Sequence, residues 1–179
     1  MASNQGVDYG SNVSCAAPPG EPASDHGSPE GLIDHIISRY HEVHRKEFPE
    51  LIRLAEKVEA VHRHHANVPV GLAAALRNLA FELEGHMIKE EHVLFPIMRS
   101  GGNPMLTHPI LMMKSEHEDH ENHLRQLEAL TTGCVTPEGA CRTWQALYAG
   151  LRKLIDDLRQ HIRLENEVLF PQFESGAGR

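Results

Sequence analysis

The stretch HMIKEEHVLFP, His86 to Pro96, returns seventy-five residues later as HIRLENEVLFP, His161 to Pro171. Both fit the pattern H-x-x-x-E-x-x-V-L-F-P. This repeat constrains the fold more than any other feature, because each copy sets an ionisable pair into an apolar helical stripe. With 100° per residue and His86 at 0°, Leu72, Leu76, Leu79 and Leu83 fall between about 20° and 80°. Glu90 falls at about 40°, Val93 at about −20° and Ile97 at about 20°. His86 and Glu90 thus share one face with the apolar residues. Leu147, Leu151, Leu154, Leu158, His161, Glu165, Val168, Leu169 and Phe170 repeat the arrangement.

A looser echo precedes each copy. His41 matches His117, Ile37 matches Met113, His44 matches His120, Phe48 matches Leu124 and Leu51 matches Leu127. Ser28-Pro29 is a helix start with a capping hydroxyl and a proline in the first turn. The first helix is expected to reach about His65, kinked at Pro49. A second spans about 70–98, a third opens at Pro109 and ends near 131–133, and a fourth starts at the Thr136-Pro137 cap and reaches Pro171. Abundant aliphatic side chains and only 5% aromatics fit helices better than a β-sandwich. The expected fold class is all-α: an up-down-up-down four-helix bundle over 29–174, made of two hairpins related by a pseudo-two-fold axis. Residues 1–28, rich in Gly, Ser, Pro and Ala without hydrophobic period, are expected to form a disordered arm carrying Cys15 as an exposed thiol.

The polar residues of the stripes carry the chemistry. An ionised Glu on an apolar stripe costs several kcal/mol unless compensated, and two that face each other also repel. A pair of cations relieves both problems, with Glu90 and Glu165 bridging and one imidazole from each helix: His41, His86, His117 and His161. Mixed nitrogen and oxygen donors suit iron first and manganese second. Six such ligands and an oxo or hydroxo bridge leave about two coordination positions open on an octahedral pair. Small neutral ligands such as dioxygen, nitric oxide, peroxide or water fit that space.

The remaining candidates receive lesser roles. His62 lies about 30 Å along a straight helix from His41 and reaches the site only if the chain folds back at Pro49. His44 and His120 sit about 60° off the ligand direction, as outer partners or polar flank. Glu121 is placed to add a terminal carboxylate. Glu91 and Glu116 flank ligands but point toward solvent, and His64, His65, His92, His108 and His123 are surface residues. Cys134 and Cys141 are structural thiols. A net charge of −8 disfavours nonspecific nucleic-acid binding. No apolar run of membrane-spanning length occurs, and the start lacks the marks of a secretory signal, so the expected compartment is the cytoplasm. No Gly-rich phosphate loop or nucleophile elbow is present.

The repeat, together with IDHIISRYHEVHR, FPELIRLAEKVEAVH, SEHEDH and TWQALYAGLRKLIDDL, resembles the hemerythrin-like domain of the repair-of-iron-centres family over about residues 30–173. The resemblance implies two non-haem iron ions on a helical bundle, ligated by His41, His86, Glu90, His117, His161 and Glu165, with the two Glu as bridges. It implies a role in nitrosative and oxidative stress, with nitric oxide or another small diatomic as ligand and iron–sulfur proteins as partners. Full-length members often carry an N-terminal Cys-Cys domain, where this sequence shows only the arm with Cys15. It is similar, too, to a short type from denitrifying bacteria that is linked to nitric oxide. A reversible dioxygen or nitric oxide binding or sensing module of the hemerythrin kind is the alternative. Such pockets use a fifth His where this chain has Glu121.

Overall fold

The computed structural model describes residues 28–174. Residues 1–27 of the expected arm, Cys15 among them, lie outside the described residues. The first bundle helix covers 29–61. Ser28 caps it, its hydroxyl accepting from the Gly31 amide at 3.2 Å, as the Ser-Pro signature predicts. The helix is α-helical over Pro29–Ile36, opens into a π turn at Ile37–His41 and resumes over Glu42–Val61. It runs on through Pro49 and stops at Val61, short of the expected His65.

The second bundle helix, 72–99, follows Gly71, whose φ of 89° reverses the chain in a way side-chain-bearing residues resist. It too is interrupted, by a π turn at Glu90–Leu94 between Leu72–Lys89 and Phe95–Arg99. A 3-10 turn, Pro104–Leu106, leads into the third bundle helix, Thr107–Leu130, which begins before the expected Pro109. The fourth starts at Arg142, not at the Thr136-Pro137 cap. Gly139 takes a φ of 77° there, and the Ala140 amide bonds back to the Pro137 carbonyl at 3.1 Å. That tight turn prevents a helix from propagating out of Pro137. The fourth helix continues over Arg142–Leu164 into a third π turn, Glu165–Leu169, and a last short helix, Pro171–Glu174.

The four long helices form the expected up-down-up-down bundle, and no strand occurs among the described residues. The first helix packs on the second and fourth, and the third on the second and fourth. Two apolar clusters fill the interior. The larger runs from Phe48, Leu51 and Val58 through Leu72, Leu76, Leu79 and Leu83 to Leu124, Leu147 and Leu158. The smaller holds Leu32, Ile33, Ile36, Leu94, Phe95, Met98, Ile110, Met113, Leu169 and Phe170. Along each bundle helix, buried His or Glu residues separate the two clusters. The bundle is therefore an apolar–polar–apolar stack.

The π turns correct one detail of the helical wheel. A wheel of uninterrupted 100° steps places Val93 and Ile97 inside. In the structure Val93 is 53% exposed, whereas Leu94 and Met98 are each 2% exposed. The wider turn starting at Glu90 inserts one extra residue per turn and slips the apolar face by one position. The second copy behaves alike: Val168 is exposed, and Leu169 and Phe170 are fully buried.

This register is testable by unfolding equilibria. Leu94→Ala should lose about 2–5 kcal/mol of stability, the range for a buried Leu. Val93→Ala should lose less than about 1 kcal/mol, as a largely exposed position does. Equal losses at the two sites would contradict the π turn.

Candidate metal centre

The polar layer is built by the repeat. His86 lies in the last turn of Leu72–Lys89, and Glu90, four residues on, opens the π turn that follows; His161 and Glu165 do the same in the fourth helix. His41 closes the π turn of the first helix, and His117 lies midway along the third. All six side chains are at most 2% exposed, and Glu90 and Glu165 are fully buried.

Their atoms converge in two groups. His41, His161, Glu90 and Glu165 each offer one ligand atom, all within 4.8 Å of one another; His86, His117, Glu90 and Glu165 do the same. Each carboxylate divides its oxygens between the groups. Glu90 Oε2 lies 3.4 Å from His41 Nε2, and its Oε1 lies 3.2 Å from His86 Nε2. Glu165 Oε1 lies 3.0 Å from His161 Nε2, and its Oε2 lies 3.1 Å from His117 Nε2. His41 Nε2 faces His161 Nε2 at 3.1 Å, and His117 Nε2 faces His86 Nε2 at 3.0 Å.

The outer nitrogens explain what these short contacts mean. His41 Nδ1 lies 2.7 Å from Glu91 Oε1, and His86 Nδ1 lies 2.9 Å from Glu116 Oε2. His117 Nδ1 lies 3.0 Å from Asn166 Oδ1. Those oxygens accept, so each Nδ1 must donate, and a neutral ring then turns its Nε2 lone pair inward. The inner nitrogens of His86 and His117 thus aim two lone pairs at one space 3.0 Å across. Both Glu90 oxygens and Glu165 Oε2 lack a partner in hydrogen-bond geometry, although imidazole nitrogens lie within ion-pair distance. Lone pairs and unpaired carboxylate oxygens converging on two points fit a cation at each, and the donor set is that of a transition metal.

Without metal, protons serve in its place. Burial pulls His41 down, but Glu90 and Glu165 outweigh it and raise its pKa. Burial likewise pulls His86 down, and the charges of Glu90 and Glu165 carry it up to about 9. Burial and Glu165 push Glu90 up, yet His86 and His41 hold it below the usual carboxylate range. Burial also raises Glu165, and His161 and His117 bring it well below that range.

All six residues singled out from the spacing are brought together, and the lesser candidates sort clearly. His62 belongs to the far end of the bundle, 3.1 Å from Cys141 Sγ and against Trp144. Glu121 contributes nothing to the centre, because Arg159 claims both its oxygens at 3.1 and 2.9 Å. His44 and His120 are buried beside the imidazoles of the polar layer, 5.7 Å from His161 and 4.9 Å from His86 between centroids. Burial, with neighbouring imidazoles, pushes both down to about 3, so they are neutral. Among the predicted surface residues, His65 and His123 are half-buried: His65 edges onto Trp144, and His123 lies 3.3 Å from Glu82. Cys134 is buried and Cys141 exposed, and both are free thiols.

Glu91 and Glu116 overturn the expectation that they face solvent. Each reaches across to an imidazole of a neighbouring helix while also meeting a cation, Arg45 at 2.8 Å for Glu91 and Lys89 for Glu116. A wheel drawn for one helix cannot show a bond made to another. Asn166 was missed as well. The signal available was the repeat itself, since Asn166 takes in the second copy the place of Glu91 in the first.

A family model, the hemerythrin HHE cation binding domain, matches residues 32–173. A probable iron–sulfur cluster repair protein from Haemophilus influenzae is 45% identical over 141 residues, which are 79% of this chain and 63% of that protein. The iron–sulfur cluster repair protein YtfE of Enterobacter sp. (strain 638) is 49% identical over 145 residues, 81% of this chain and 66% of its own length. That of Citrobacter koseri is 48% identical over 145 residues with the same coverage. The chain thus spans a little under two thirds of the length of these relatives.

The metal-free centre predicts a pH dependence. A His raised to about 9 when folded, from about 6.5 when unfolded, adds stability that is complete below about pH 6.5 and is lost as pH rises through about 9. Lowered carboxylates add stability that is present above about pH 4.5 and lost in acid. His44 and His120, at about 3 when folded, act the other way and cost stability below about pH 6.5, so the Tm of metal-free protein should peak at about pH 6.5 and fall both in acid and toward about pH 9. A Tm that climbs over that alkaline range would refute the protonated cluster.

Proposed function

Since the chain belongs to the hemerythrin HHE cation-binding family, we propose that residues 29–174 form one unit that holds two non-haem iron ions and serves in repair of iron–sulfur centres under nitrosative or oxidative stress. His41 and His161 bind one ion, His86 and His117 the other, and Glu90 and Glu165 bridge both. The observation that carries this reading is the division of each carboxylate between the two groups. Glu90 sends Oε2 to one and Oε1 to the other, and Glu165 mirrors it. The expected oxo or hydroxo bridge belongs to this proposal, as does a cytoplasmic setting. Among the described residues no helix is long and apolar enough to cross a membrane.

When bound, the iron pair supplies exchangeable coordination positions and one-electron redox chemistry toward small diatomics such as nitric oxide. The protein does the rest. Glu91, Glu116 and Asn166 fix ring orientation and keep the lone pairs inward. The two apolar clusters exclude bulk water above and below the layer, which favours neutral ligands over charged ones. His44 and His120, neutral and without a protein partner at His44 Nδ1 and Nε2 and at His120 Nδ1, keep polar nitrogens beside the ligand rings without adding charge.

Metal analysis should find about two irons per chain. Glu90→Leu or Glu165→Leu should remove at least one iron while leaving the helical signal intact. The metal-free variants should be as stable as the parent or more so, since an apolar side chain replaces a buried charge. Full retention in both would place the bridges elsewhere. The iron-loaded, reduced chain should bind nitric oxide and restore activity to an oxidatively damaged iron–sulfur dehydratase. Dioxygen binding without nitric oxide binding or reactivation would mark a carrier instead.

A further inference from the structure

The two halves of the bundle repeat their ligands but not the groups behind them. The residue after each bridging Glu is Glu91 in one copy and Asn166 in the other. The residue before the matched His of the first and third helices is Tyr40 in one and Glu116 in the other. Three imidazoles find an acceptor in these residues: His41 in Glu91, His86 in Glu116 and His117 in Asn166. The fourth does not. His161 Nδ1 is buried without a hydrogen-bond partner. Where symmetry would place a carboxylate, the Tyr40 ring stacks on His161, 5.3 Å between centroids and 7° from parallel.

Tyr40 is held in that place. Arg39 lies over its ring, 5.0 Å from the centroid, and is fixed by two bonds to Asp157 at 3.0 and 2.8 Å. Lys153 adds a third contact to Asp157 at 2.8 Å. A stacked phenol ring orients His161 but takes no proton from its Nδ1. An imidazole whose Nδ1–H is accepted by a carboxylate is the better donor at Nε2, and losing such a partner typically weakens metal binding about 10- to 100-fold. The pocket of His86 and His117 has acceptors behind both rings. The pocket of His41 and His161 has one behind only one ring. The carboxylates themselves are balanced, since Glu91 and Glu116 each also meet one cation.

We propose that the two pockets are unequal by design of their surroundings: the His41/His161 pocket is the labile one, and it is from there that a cation is handed on, while the His86/His117 pocket retains its own. Glu91, Glu116, Asn166 and Tyr40 are the positioning residues that set the difference. The ion in this pocket would be held by His41 Nε2, His161 Nε2 and one oxygen each of Glu90 and Glu165, and its release would free these four atoms. Water or the acceptor supplies the new ligands of the departing cation. The oxidation state does not change. The inference rests on the two-ion reading above.

The test is anaerobic release of Fe(II) from the full, loaded chain to excess ferrozine, followed by the colour of the chelate. The parent should release iron in two phases of equal amplitude, with rates about tenfold or more apart. Glu91→Gln should speed the fast phase only, and Glu116→Gln the slow phase only. Asn166→Asp, nearly the same shape as the parent, should slow the slow phase further by giving His117 an anionic acceptor. Loading with fewer than two irons would defeat the two-ion reading itself. Two irons leaving in a single phase, or Glu116→Gln speeding the fast phase, would leave that reading standing and overturn this one.

Discussion

Two buried carboxylates facing four imidazoles across an apolar bundle govern everything else in this structure. Glu90 and Glu165 are fully buried, and among the described residues no Lys or Arg reaches them. The charges that hold them ionised come from imidazoles, and of these His41 and His86 are in turn raised by the carboxylates. The cluster is thus self-consistent but costly, because each partner is desolvated for the sake of the other. A sequence that keeps such a layer in place of leucine gives up stability for chemistry, and its donor atoms gather in two groups that suit a cation.

The π turns are how helices meet that demand. Three of the four bundle helices carry one, and each begins or ends on a residue of the polar layer: His41, Glu90 or Glu165. An unbroken α-helix could place His86 and Glu90 on one face, but it would then carry Val93 inward. The wider turn lets Glu90 enter the layer and returns Leu94 and Phe95 to the lower cluster. Helical hydrogen bonding is locally poorer, and the flanking core absorbs the loss.

The sequence disclosed the bundle and all six converging side chains, because both leave a periodic trace. Ligands at i and i+4 in an apolar stripe are visible on one helix, and the repeat made them visible twice. What escaped did so for separate reasons. The register after Glu90 depended on one extra residue in a turn, which no 100° wheel contains. The partners Glu91, Glu116 and Asn166 act on helices other than their own, so their roles depend on packing that periodicity alone does not encode. The Thr136-Pro137 start failed for a third reason: a good local cap was overridden by Gly139, whose left-handed conformation closes a turn first. His44 and His120 were legible as near the site but not as buried, since an offset of about 60° on a wheel says little inside a bundle that covers every face.

The layered interior also bears on how a metal could leave without the fold leaving with it. In small metal domains the binding free energy is the folding free energy, and the metal-free chain unfolds. Here the larger cluster ties Phe48, Leu79, Leu124, Leu147 and Leu158 together with no contribution from a ligand, and the smaller one closes the other end. Protons shared between imidazoles and carboxylates can stand in for the cations within the layer. The scaffold therefore holds its ligands in place whether a pocket is full or not, and the Nδ1 partners keep their hold on three of the four rings. A scaffold that keeps its polar layer with or without metal is the physical condition for the release proposed above, and this chain meets it through its two apolar layers.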